Sequence, residues 1–463
     1  MKGCFRMKIG LVNLGCPKNQ VDSEIMLGLL NDAGFEFTSN EAEAEIIVVN
    51  TCGFIDSAKE ESITTLIDLG RFKNEGRCRL LIAAGCLPQR YKEELLKEMP
   101  EIDVIAGTGS FKDVINICKE FRDKQFRQLK VQRAYLSEPS DFSYEHSLPR
   151  IRISPVHTAF IKIAEGCDHT CTFCIIPELR GKQRSRSMES IIKEAEQLSS
   201  EGVVEIVLIA QDTTAYGRDL IEPNALPRLL KRLATINGIK WIRLLYTYPG
   251  SFTNELIAVM AGEEKICNYI DMPVQHVNDT ILRKMHRGHT KSGIYTTIER
   301  LRKEIPDVVL RTSLIVGFPG ETEKQFNELK EFVEDVEFDR LGVFTYSHEE
   351  GTEAYSMKRQ VGEKKRIGRQ NIIMEIQQGI SLRKNQKLVG TRQIVLVDGT
   401  STGQEFQMEG RTYGHAPEVD GVVYLKCDPD SLPVPGDMVS VEITGALPYD
   451  LVGVRTAPFS KPN

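Results

Sequence analysis

Three cysteines stand close together in the middle of the chain, in a spacing that suits a metal site. They are Cys167, Cys171 and Cys174. Thiolates are soft ligands that favour zinc or iron–sulfur clusters. A structural zinc takes four ligands, and no fourth cysteine or suitably spaced histidine follows directly in the sequence. Three ligands on a four-iron cluster leave one iron open to a small molecule, so we interpret this triplet as a cluster site.

Three further cysteines each follow an apolar run near the start of the chain. The runs that predict strands are residues 9–13, 46–50, 80–84 and 102–106. Helix-like patterns between them indicate a doubly wound parallel sheet. Cys16, Cys52 and Cys86 follow the first three runs, and ligands bind beyond the carboxyl ends of parallel strands. These cysteines could therefore meet at one edge and hold a cluster, or they could be separate buried thiols.

The central part of the chain repeats a strand-then-helix pattern six times. The strand-like runs are residues 159–164, 203–210, 241–246, 269–274, 308–318 and 341–346. Six successive βα units predict an incomplete barrel, a parallel sheet left open on one side. Active sites of such barrels lie at the carboxyl ends of the strands. The middle cysteine triplet follows the first of these runs, which places it at that end.

Residues in and after the predicted barrel strands are candidates for binding a cofactor. Gly317, Pro319 and Gly320 form a turn after the fifth strand, and such a turn either only reverses the chain or lets a flat ring approach the backbone. Gln211 and Gln275 end the second and fourth strands, where buried amides need partners.

Two arginines are also candidates, because each lies within a predicted barrel strand. Arg243 and Arg311 occupy the third and fifth strands. An arginine on a barrel interior needs an anionic partner. That partner is either a carboxylate of the cofactor or a carboxylate of the protein, and the sequence slightly favours the cofactor.

The last part of the chain changes to short strand-like runs separated by turns. The runs are residues 393–397, 408–413, 422–427, 438–444 and 451–455. They predict a small closed β-barrel of the kind used for recognition. Residues 386–463 carry ten acidic and six basic side chains. An RNA-binding barrel is expected to have a basic face, so this barrel is better suited to a basic protein partner.

Bulk composition sets the domain count and the compartment. A chain of 463 residues is too long for one core. We predict an α/β multidomain protein with an N-terminal domain at 7–122, a linker at 123–155, the open barrel at 156–385 and the small barrel at 386–455. The chain lacks an evident secretory signal or an apolar run long enough to span a bilayer, so we expect no membrane association. Eleven cysteines of uneven spacing favour metal chemistry in the cytoplasm over a disulfide framework.

The middle triplet, with Phe173 directly before its last cysteine, resembles the radical S-adenosylmethionine (SAM) signature. Nearly end to end, the chain resembles the methylthiotransferase family, which has a cluster domain, a radical SAM barrel and a C-terminal TRAM barrel. The resemblance implies two 4Fe–4S clusters, one on the middle triplet and one on Cys16, Cys52 and Cys86. It implies that SAM binds the first of these clusters, and it includes Phe173 among the SAM contacts. It adds no catalytic residue beyond the cluster ligands.

Several local sequences favour the RimO-type branch of that family over the branches that modify tRNA. These sequences are residues 14–19, 50–56, 175–181 and 211–217. Glu178 and Leu179 depart from the residues expected in the third of them. The RimO-type resemblance implies methylthiolation of an aspartate β-carbon in the twelfth small-subunit ribosomal protein. It also implies an electron donor such as flavodoxin or ferredoxin.

The implied reaction explains why radical chemistry is needed. The aspartate β-carbon carries a C–H bond that no side-chain base can usefully deprotonate. SAM is then both the source of a hydrogen-abstracting radical and the methyl donor, and the second cluster holds the sulfur. One alternative is a methylthiotransferase that acts on tRNA adenosine at position 37. Another is a binding or structural protein that holds zinc, not iron, at the middle triplet.

Overall fold

The computed structural model describes residues 7–123, 133–141, 144–220, 224–401 and 405–456. The chain forms two compact units. The first consists of Met1–Ile153, Ala164–Ser190 and Ser347–Tyr355, and the second of Ser154–Ile163, Ile191–Tyr346 and Ser356–Asn463. The segment with the middle cysteine triplet therefore packs with the N-terminal sheet, which the linear domain prediction did not anticipate. Over the described ranges, no helix has the length and apolar character to cross a membrane.

Strands and helices alternate from residue 8 to residue 135. The elements are β1 (Lys8–Asn13), α1 (Pro17–Asp32), β2 (Glu36–Phe37), β3 (Ile46–Thr51), α2 (Asp56–Gly70), α3 (Phe72–Glu75), β4 (Leu80–Gly85), α4 (Cys86–Tyr91), α5 (Glu93–Glu98), β5 (Val104–Ala106), α6 (Phe111–Asp123) and β6 (Arg133–Tyr135). The strands pair in parallel in the order β2-β1-β3-β4-β5-β6. The predicted doubly wound sheet is confirmed.

This sheet is buried on both faces. Along β3, Ile46 and Val48 belong to one apolar core cluster, whereas Ile47 and Val49 belong to another. Successive side chains of a strand point to opposite faces, so a strand covered on both sides needs an unbroken apolar run. β2 and β6 have only two and three residues, which is too short for a sequence pattern to reveal them, and β6 lies in the predicted linker.

The central part of the chain continues the alternation. Its elements are β7 (Thr158–Lys162), β8 (Ala164–Glu165), α7 (Ile176–Arg180), β9 (Arg184–Ser185), α8 (Met188–Ser200), β10 (Glu205–Ile209), α9 (Ala225–Ala234), β11 (Trp241–Leu244), α10 (Asn254–Gly262), β12 (Ile266–Asp271), α11 (Asp279–Lys284), α12 (Lys291–Glu304), β13 (Val309–Val316), α13 (Glu323–Val336), β14 (Arg340–Thr345) and α14 (Glu363–Gln386). A parallel sheet in the second unit has the order β14-β13-β12-β11-β10-β7. Its ends, β7 and β14, do not pair with each other, which confirms the open βα arrangement.

The C-terminal residues form a closed barrel in the second unit. Its strands are β15 (Arg392–Thr400), β16 (Met408–Arg411), β17 (Val423–Lys426), β18 (Met438–Ala446) and β19 (Leu451–Arg455). The order is β15-β16-β17-β19-β18, and β15 pairs with β18 to close it. Buried Val, Leu, Ile and Met side chains fill the interior. The predicted five-stranded barrel is confirmed.

Candidate functional site

Cys16, Cys52 and Cys86 follow three neighbouring strands of the first unit. Cys16 lies between β1 and α1, Cys52 follows β3, and Cys86 begins α4 directly after β4. The strands are adjacent and in parallel register, with Asn13 opposite Asn50 and Asn50 opposite Ala84. The strand order reverses between β1 and β3, and such a switch point is where open α/β sheets bind ligands. The structure therefore brings the three cysteines to one edge of the sheet.

Glycines allow the three cysteine loops to pack against one another. Gly15 has φ +93°, and a Cβ atom there would lie 2.9 Å from the Cβ and 3.3 Å from the Sγ of Cys52. A Cβ atom at Gly53 would lie 2.9 Å from the carbonyl oxygen of Cys86. A larger residue at either position would push the cysteines apart, and at Gly15 it would also be strained by the backbone conformation.

Burial makes the thiols of Cys52 and Cys86 poor acids in the absence of a metal. Burial, reinforced by the neighbouring Cys86 and Cys16, raises the pKa of Cys52 to about 12. Burial also raises the pKa of Cys86, although the positive charge of Arg180 opposes that rise. Metals bind thiolates, so a bound metal has to supply the positive charge that removes these protons.

Buried amide and hydroxyl side chains hold the segments around Cys16 and Cys52 in place. Asn19 donates from Nδ2 to the carbonyls of Leu14 and Thr51, both at 3.0 Å. Asn50 donates from Nδ2 to the carbonyl of Asn19 at 2.8 Å. Ser62 donates to the carbonyl of Cys52 at 3.0 Å and accepts from its amide at 3.1 Å. These hydrogen bonds fix the backbone on both sides of the cysteines.

The middle triplet lies in a loop of the same unit, closed at its base by backbone contacts. β8 pairs with β9, and the amide of Cys167 donates to the carbonyl of Gly181 at 3.0 Å. The amide of Cys174 donates to the carbonyl of Cys171 at 3.1 Å. Gly166 has φ +80°, and a Cβ atom there would collide with the carbonyl of Lys182. The three cysteines are half-buried, so the loop presents them with one side accessible.

One arginine of this loop reaches the N-terminal cysteines. Arg180, the last residue of α7, is 3% exposed. Its Nη1 donates to Asp22 Oδ2 at 2.7 Å, and its Nη2 donates to Asn19 Oδ1 and, at 3.4 Å, to the Sγ of Cys86. Burial alone would lower the pKa of Arg180, but the nearby Cys86 and the carboxylates of Glu165 and Asp22 raise it well above its ordinary value. The side chain is therefore a buried cation.

Gln183, beside the base of the loop, is a buried amide that lacks a side-chain partner. It is 7% exposed, and within the part of the chain that the structure describes neither Oε1 nor Nε2 accepts or donates a hydrogen bond. Its backbone amide donates to Asp168 Oδ1 at 3.1 Å. Buried amides are normally satisfied, so Gln183 is a candidate for contact with a ligand.

The donor chemistry of both triplets fits an iron–sulfur cluster. Each triplet offers three soft sulfur ligands, the set from which such clusters are held. Cys16 and the whole middle triplet are half-buried, which leaves room for a ligand on one side. Among the described residues, no group of His, Cys, Asp or Glu is arranged around a single metal ion. The fit to a larger group therefore rests on ligand type and burial.

The carboxyl ends of the barrel strands in the second unit have unusual backbone conformations. Tyr246, after β11, has φ +62°, and Gln275, after β12, has φ +69°. Such angles are uncommon for residues other than glycine and concentrate at functional sites. Gln275 also accepts a hydrogen bond at 2.7 Å from Ile315 and donates one at 2.9 Å to Ser313 through its backbone. This strand end is thus held in a fixed, strained shape.

The remaining predicted SAM contacts occupy three different positions. Gly317 and Gly320 have φ +76° and +78°, and Pro319 between them is buried. The amide of Gly317 donates to the buried carboxylate of Glu321. Gln211, after β10, is half-buried in the second unit, and Phe173 is half-buried in the loop of the first unit. Contact of these residues with SAM stays a prediction.

Arg243 and Arg311 have carboxylate partners within the protein, which corrects the reason for proposing them. Arg243 donates to Glu205 Oε1 at 2.9 Å and to the carbonyl of Tyr413 at 2.6 Å. Arg311 donates to Asp271 Oδ1 at 2.7 Å, and its Nε lies 3.6 Å from Asp420. Both arginines thus pair with carboxylates of the protein, which was the alternative to a carboxylate of the cofactor. Neither guanidinium needs a cofactor carboxylate.

Sequence reasoning missed Arg180, Asn19, Asp22 and Gln183. Arg180 and Asn19 stand in the local sequences that carry the family resemblance, and that proximity was the one available signal. Their importance arises from contacts between segments about 160 residues apart, which no local pattern reveals.

Three consecutive segments of the chain match known protein families. Residues 8–107 match the uncharacterized protein family UPF0004, residues 161–333 match the radical SAM superfamily, and residues 389–455 match the TRAM domain. A solved structure of the radical SAM methyltransferase TsrM from Kitasatospora setae resembles the chain with a TM-score of 0.54 at 13% identity, covering 86% of this chain and 79% of that one. At that identity the likeness shows the fold alone. Fold, cysteine loop and family matches together define a radical SAM enzyme.

Curated relatives identify the family more closely. The ribosomal protein uS12 methylthiotransferase RimO of Geobacter sulfurreducens is 48% identical over 446 residues, 96% of this chain and 98% of the relative. The RimO of Desulforamulus reducens is 49% identical over 446 residues, with 96% and 98% coverage. That of Acetivibrio thermocellus is 48% identical over 451 residues, with 97% and 98% coverage. The chain belongs to the RimO family of methylthiotransferases.

Proposed function

We propose that this chain transfers a methylthio group to the β-carbon of an aspartate in ribosomal protein uS12. The observation that carries the proposal is that both cysteine triplets lie in one compact unit, where Arg180 of the middle loop contacts Cys86. A reaction that joins a carbon radical to a sulfur donor needs both reactants positioned together. The names of the relatives, which specify uS12, support the choice of substrate.

The six cysteines are the proposed ligands of two 4Fe–4S clusters. Cys167, Cys171 and Cys174 would hold the cluster that binds SAM, and Cys16, Cys52 and Cys86 would hold the second. When bound, these clusters supply the electron that cleaves SAM and the site that carries the sulfur. The protein residues position these groups and keep water away from them, since the cofactors carry the bond-breaking chemistry.

Further residues are proposed to contact SAM. Two of them are Phe173, beside the last loop cysteine, and Gln183, whose buried amide offers a donor and an acceptor. A zwitterionic amino-acid group presents both a carboxylate and an ammonium, which such an amide can satisfy. The others, proposed from their positions after strands of the parallel sheet, are Gln211, Gln275, Gly317, Pro319 and Gly320.

The charge of the C-terminal barrel supports docking of a basic protein. Asp398 and Asp420 are occupied by contacts with Arg411 and Tyr269, and Arg411 is itself buried. The other eight acidic side chains of the described segment 387–456, and four of its basic side chains, are at least partly exposed. Complementary charge accelerates encounter and favours the correct partner. Ribosomal proteins are basic because they bind RNA phosphates.

The proposed chemistry also requires an electron donor and a cellular compartment in which thiols stay reduced. A one-electron donor such as flavodoxin or ferredoxin is proposed to reduce the cluster that binds SAM. The cytoplasm is the proposed location, because free thiols stay reduced there and the ribosomal substrate is made there.

A substrate competition tests the proposal. The anaerobically reconstituted full chain is given SAM, a strong reductant, uS12 and unmodified tRNA in one vessel, and both products are analysed by mass spectrometry. A methylthio increment on an aspartate of uS12, with none on tRNA, is the expected result. An increment on tRNA adenosine alone would overturn the proposed substrate and the docking argument together.

The control for that experiment uses a matched pair of surface changes. Asp428, Asp430 and Asp437 are exposed on the C-terminal barrel, and their joint replacement by Asn should raise KM for uS12 while leaving reductive cleavage of SAM unchanged. Replacement of the exposed Glu60, Glu61 and Glu75 of the first unit by Gln removes the same charge elsewhere and should leave KM within about twofold. An equal KM for both triple variants would contradict docking by the barrel.

A further inference from the structure

Most N–H donors of the Arg180 guanidinium have a hydrogen-bond acceptor. Nη1 donates to Asp22 Oδ2 at 2.7 Å and lies 3.4 Å from Glu165 Oε2. Nη2 donates to Asn19 Oδ1 and to Cys86 Sγ. A buried guanidinium is costly unless its N–H groups are all hydrogen-bonded. The sulfur of Cys86 is therefore an integral partner of this cation.

The partners of Arg180 fix its position relative to the cysteine. Asn19 is held through its Nδ2 by the carbonyls of Leu14 and Thr51, which flank Cys16 and Cys52 in the sequence. Asp22 is 1% exposed and lies one turn further along α1. The planar guanidinium has little rotational freedom, because Asn19 and Asp22 of α1 both hold it by hydrogen bonds. These two residues therefore fix the third contact, from Nη2 to Cys86 Sγ.

A hydrogen bond to a ligand sulfur affects the electronic properties of a cluster. Each reduction adds one negative charge to the iron–sulfur group, and a cationic N–H donor at a ligand sulfur stabilises the reduced form more than the oxidised form. Hydrogen bonds to sulfur, net charge and solvent exposure are the factors that set cluster potentials. Charge-assisted hydrogen bonds are about twice as strong as neutral ones.

We propose that Arg180 is a positioning residue that holds the Cys86 thiolate in its ligand orientation and raises the reduction potential of the cluster on Cys16, Cys52 and Cys86. The inference rests on the proposed function, because it requires that cluster. It adds a link between the two triplets, since Arg180 lies six residues after Cys174 in the sequence. The loop that carries one triplet thus provides a donor to a ligand of the other.

The test uses the full chain with Cys167, Cys171 and Cys174 replaced by Ala, so that only the N-terminal cluster remains. Into this parent we introduce Arg180→Gln, Arg180→Lys and a control, Arg150→Gln. Arg150 is a half-buried arginine of the first unit, bound to Glu24 on α1 at 2.7 Å. Each protein is reconstituted anaerobically, its iron and sulfide are counted, and its cluster potential is measured by a redox titration followed by electron paramagnetic resonance.

Arg180→Gln is expected to retain iron and to lower the potential by at least about 59 mV, which corresponds to tenfold in a one-electron equilibrium. Arg180→Lys keeps the charge but not the planar fork, so its potential should fall between those of Arg180→Gln and the parent. Arg150→Gln should match the parent. A parent without iron would mean that the proposed second cluster is wrong, which is a different result from failure of the Arg180 inference.

Unchanged potentials in an iron-containing Arg180→Gln would overturn the inference. If Arg180→Gln loses its iron, Arg180→Lys decides: a lowered potential supports the inference, and an unchanged potential overturns it. If both Arg180 variants lose iron while Arg150→Gln keeps it, Arg180 serves assembly only, and the proposed effect on the potential is wrong.

Discussion

The two cysteine triplets are built in different ways. Cys167, Cys171 and Cys174 lie within eight residues of one loop, closed by the short β8–β9 ladder. Cys16, Cys52 and Cys86 come from three loops about 35 residues apart, and they meet only because β1, β3 and β4 are neighbours in the sheet. The first arrangement is local, whereas the second depends on the whole N-terminal fold.

The difference shows where each site is vulnerable. Local ligands tolerate changes elsewhere in the chain, because their spacing is covalently limited. Ligands that are assembled by tertiary packing fail when a loop moves, since close-packed interiors transmit even small displacements. We therefore expect packing changes in the first sheet to affect one cluster selectively.

Removing one triplet at a time should separate two activities. Replacing Cys167, Cys171 and Cys174 by Ala should abolish both the formation of 5′-deoxyadenosine from SAM and the methylthiolation of uS12. Replacing Cys16, Cys52 and Cys86 by Ala should abolish methylthiolation but preserve SAM cleavage, because the loop carries all three ligands of its own site. Chromatography of the nucleoside product and mass spectrometry of uS12 measure the two steps. Loss of SAM cleavage in both variants would contradict the division of roles.

Gly15→Ala should disturb the assembled triplet selectively. An alanine at φ +93° is strained by about 1–2 kcal/mol, and its Cβ would also press on Cys52. We expect the iron content to fall by about half, while SAM cleavage persists. Gly34→Ala is the matched control, because Gly34 has φ +83° but open space around the added Cβ. The control should show the backbone strain in urea unfolding without loss of iron; equal iron loss in both variants would argue against the packing explanation.

Glu205→Gln should destabilise the second unit without affecting iron content. Glu205 is fully buried and accepts from Arg243 at 2.9 Å and from Arg411 at 2.7 Å. Removing the negative charge leaves the buried Arg243 guanidinium without a carboxylate partner and leaves Arg411 with Asp398 alone. Breaking a buried ion pair typically costs about 3–5 kcal/mol. Glu442→Gln, at an exposed position of β18, should change the free energy of unfolding by less than about 0.5 kcal/mol. Denaturant unfolding and iron analysis provide the test, and similar stabilities of the two variants would count against the buried ion pair.

His415 should make the second unit less stable at mildly acidic pH. Burial, followed by the charge of Arg340, lowers the pKa of His415 well below its ordinary 6.5. Arg340 Nη2 donates to His415 Nε2 at 2.6 Å, so the folded protein keeps the imidazole neutral. The unfolded chain takes up a proton as the pH falls below 6.5, and stability is lost by up to about 1.4 kcal/mol per pH unit.

The measurement for this prediction is the urea midpoint between pH 7.5 and pH 5.5. The wild-type protein should lose stability more steeply than His415→Gln, which has no proton to take up at this position. Parallel pH profiles of the two proteins would show that His415 does not contribute to the slope.

The sequence was sufficient for features that depend on local pattern or strand order. Parallel strands predict that Cys16, Cys52 and Cys86 could meet at one edge, with separate buried thiols as the alternative, and short runs between turns predict the closed barrel. The sequence was insufficient where a partner comes from a distant segment. Arg243 and Arg311 were interpreted as cofactor ligands because Glu205 and Asp420 cannot be paired with them before the fold is known.

The packing of the loop that carries the middle triplet also depends on distant segments, so the sequence does not predict it. Its position after β7 was predicted from chain order, but its packing with the N-terminal sheet depends on contacts such as those of Arg180 with Asp22 and Asn19. Buried polar contacts of this kind have no periodicity. A sequence can therefore indicate which residues do the chemistry without indicating which residues hold them together.

The most direct test of the central claim, that the two triplets hold separate clusters, is an iron and sulfide count on three proteins reconstituted under identical anaerobic conditions. Two four-iron clusters predict about eight irons and eight sulfides per wild-type chain. Each triple Cys→Ala variant should retain about half of both. A wild-type chain with about four irons, zinc in place of iron, or no loss of iron from the Cys16, Cys52 and Cys86 variant would contradict the account.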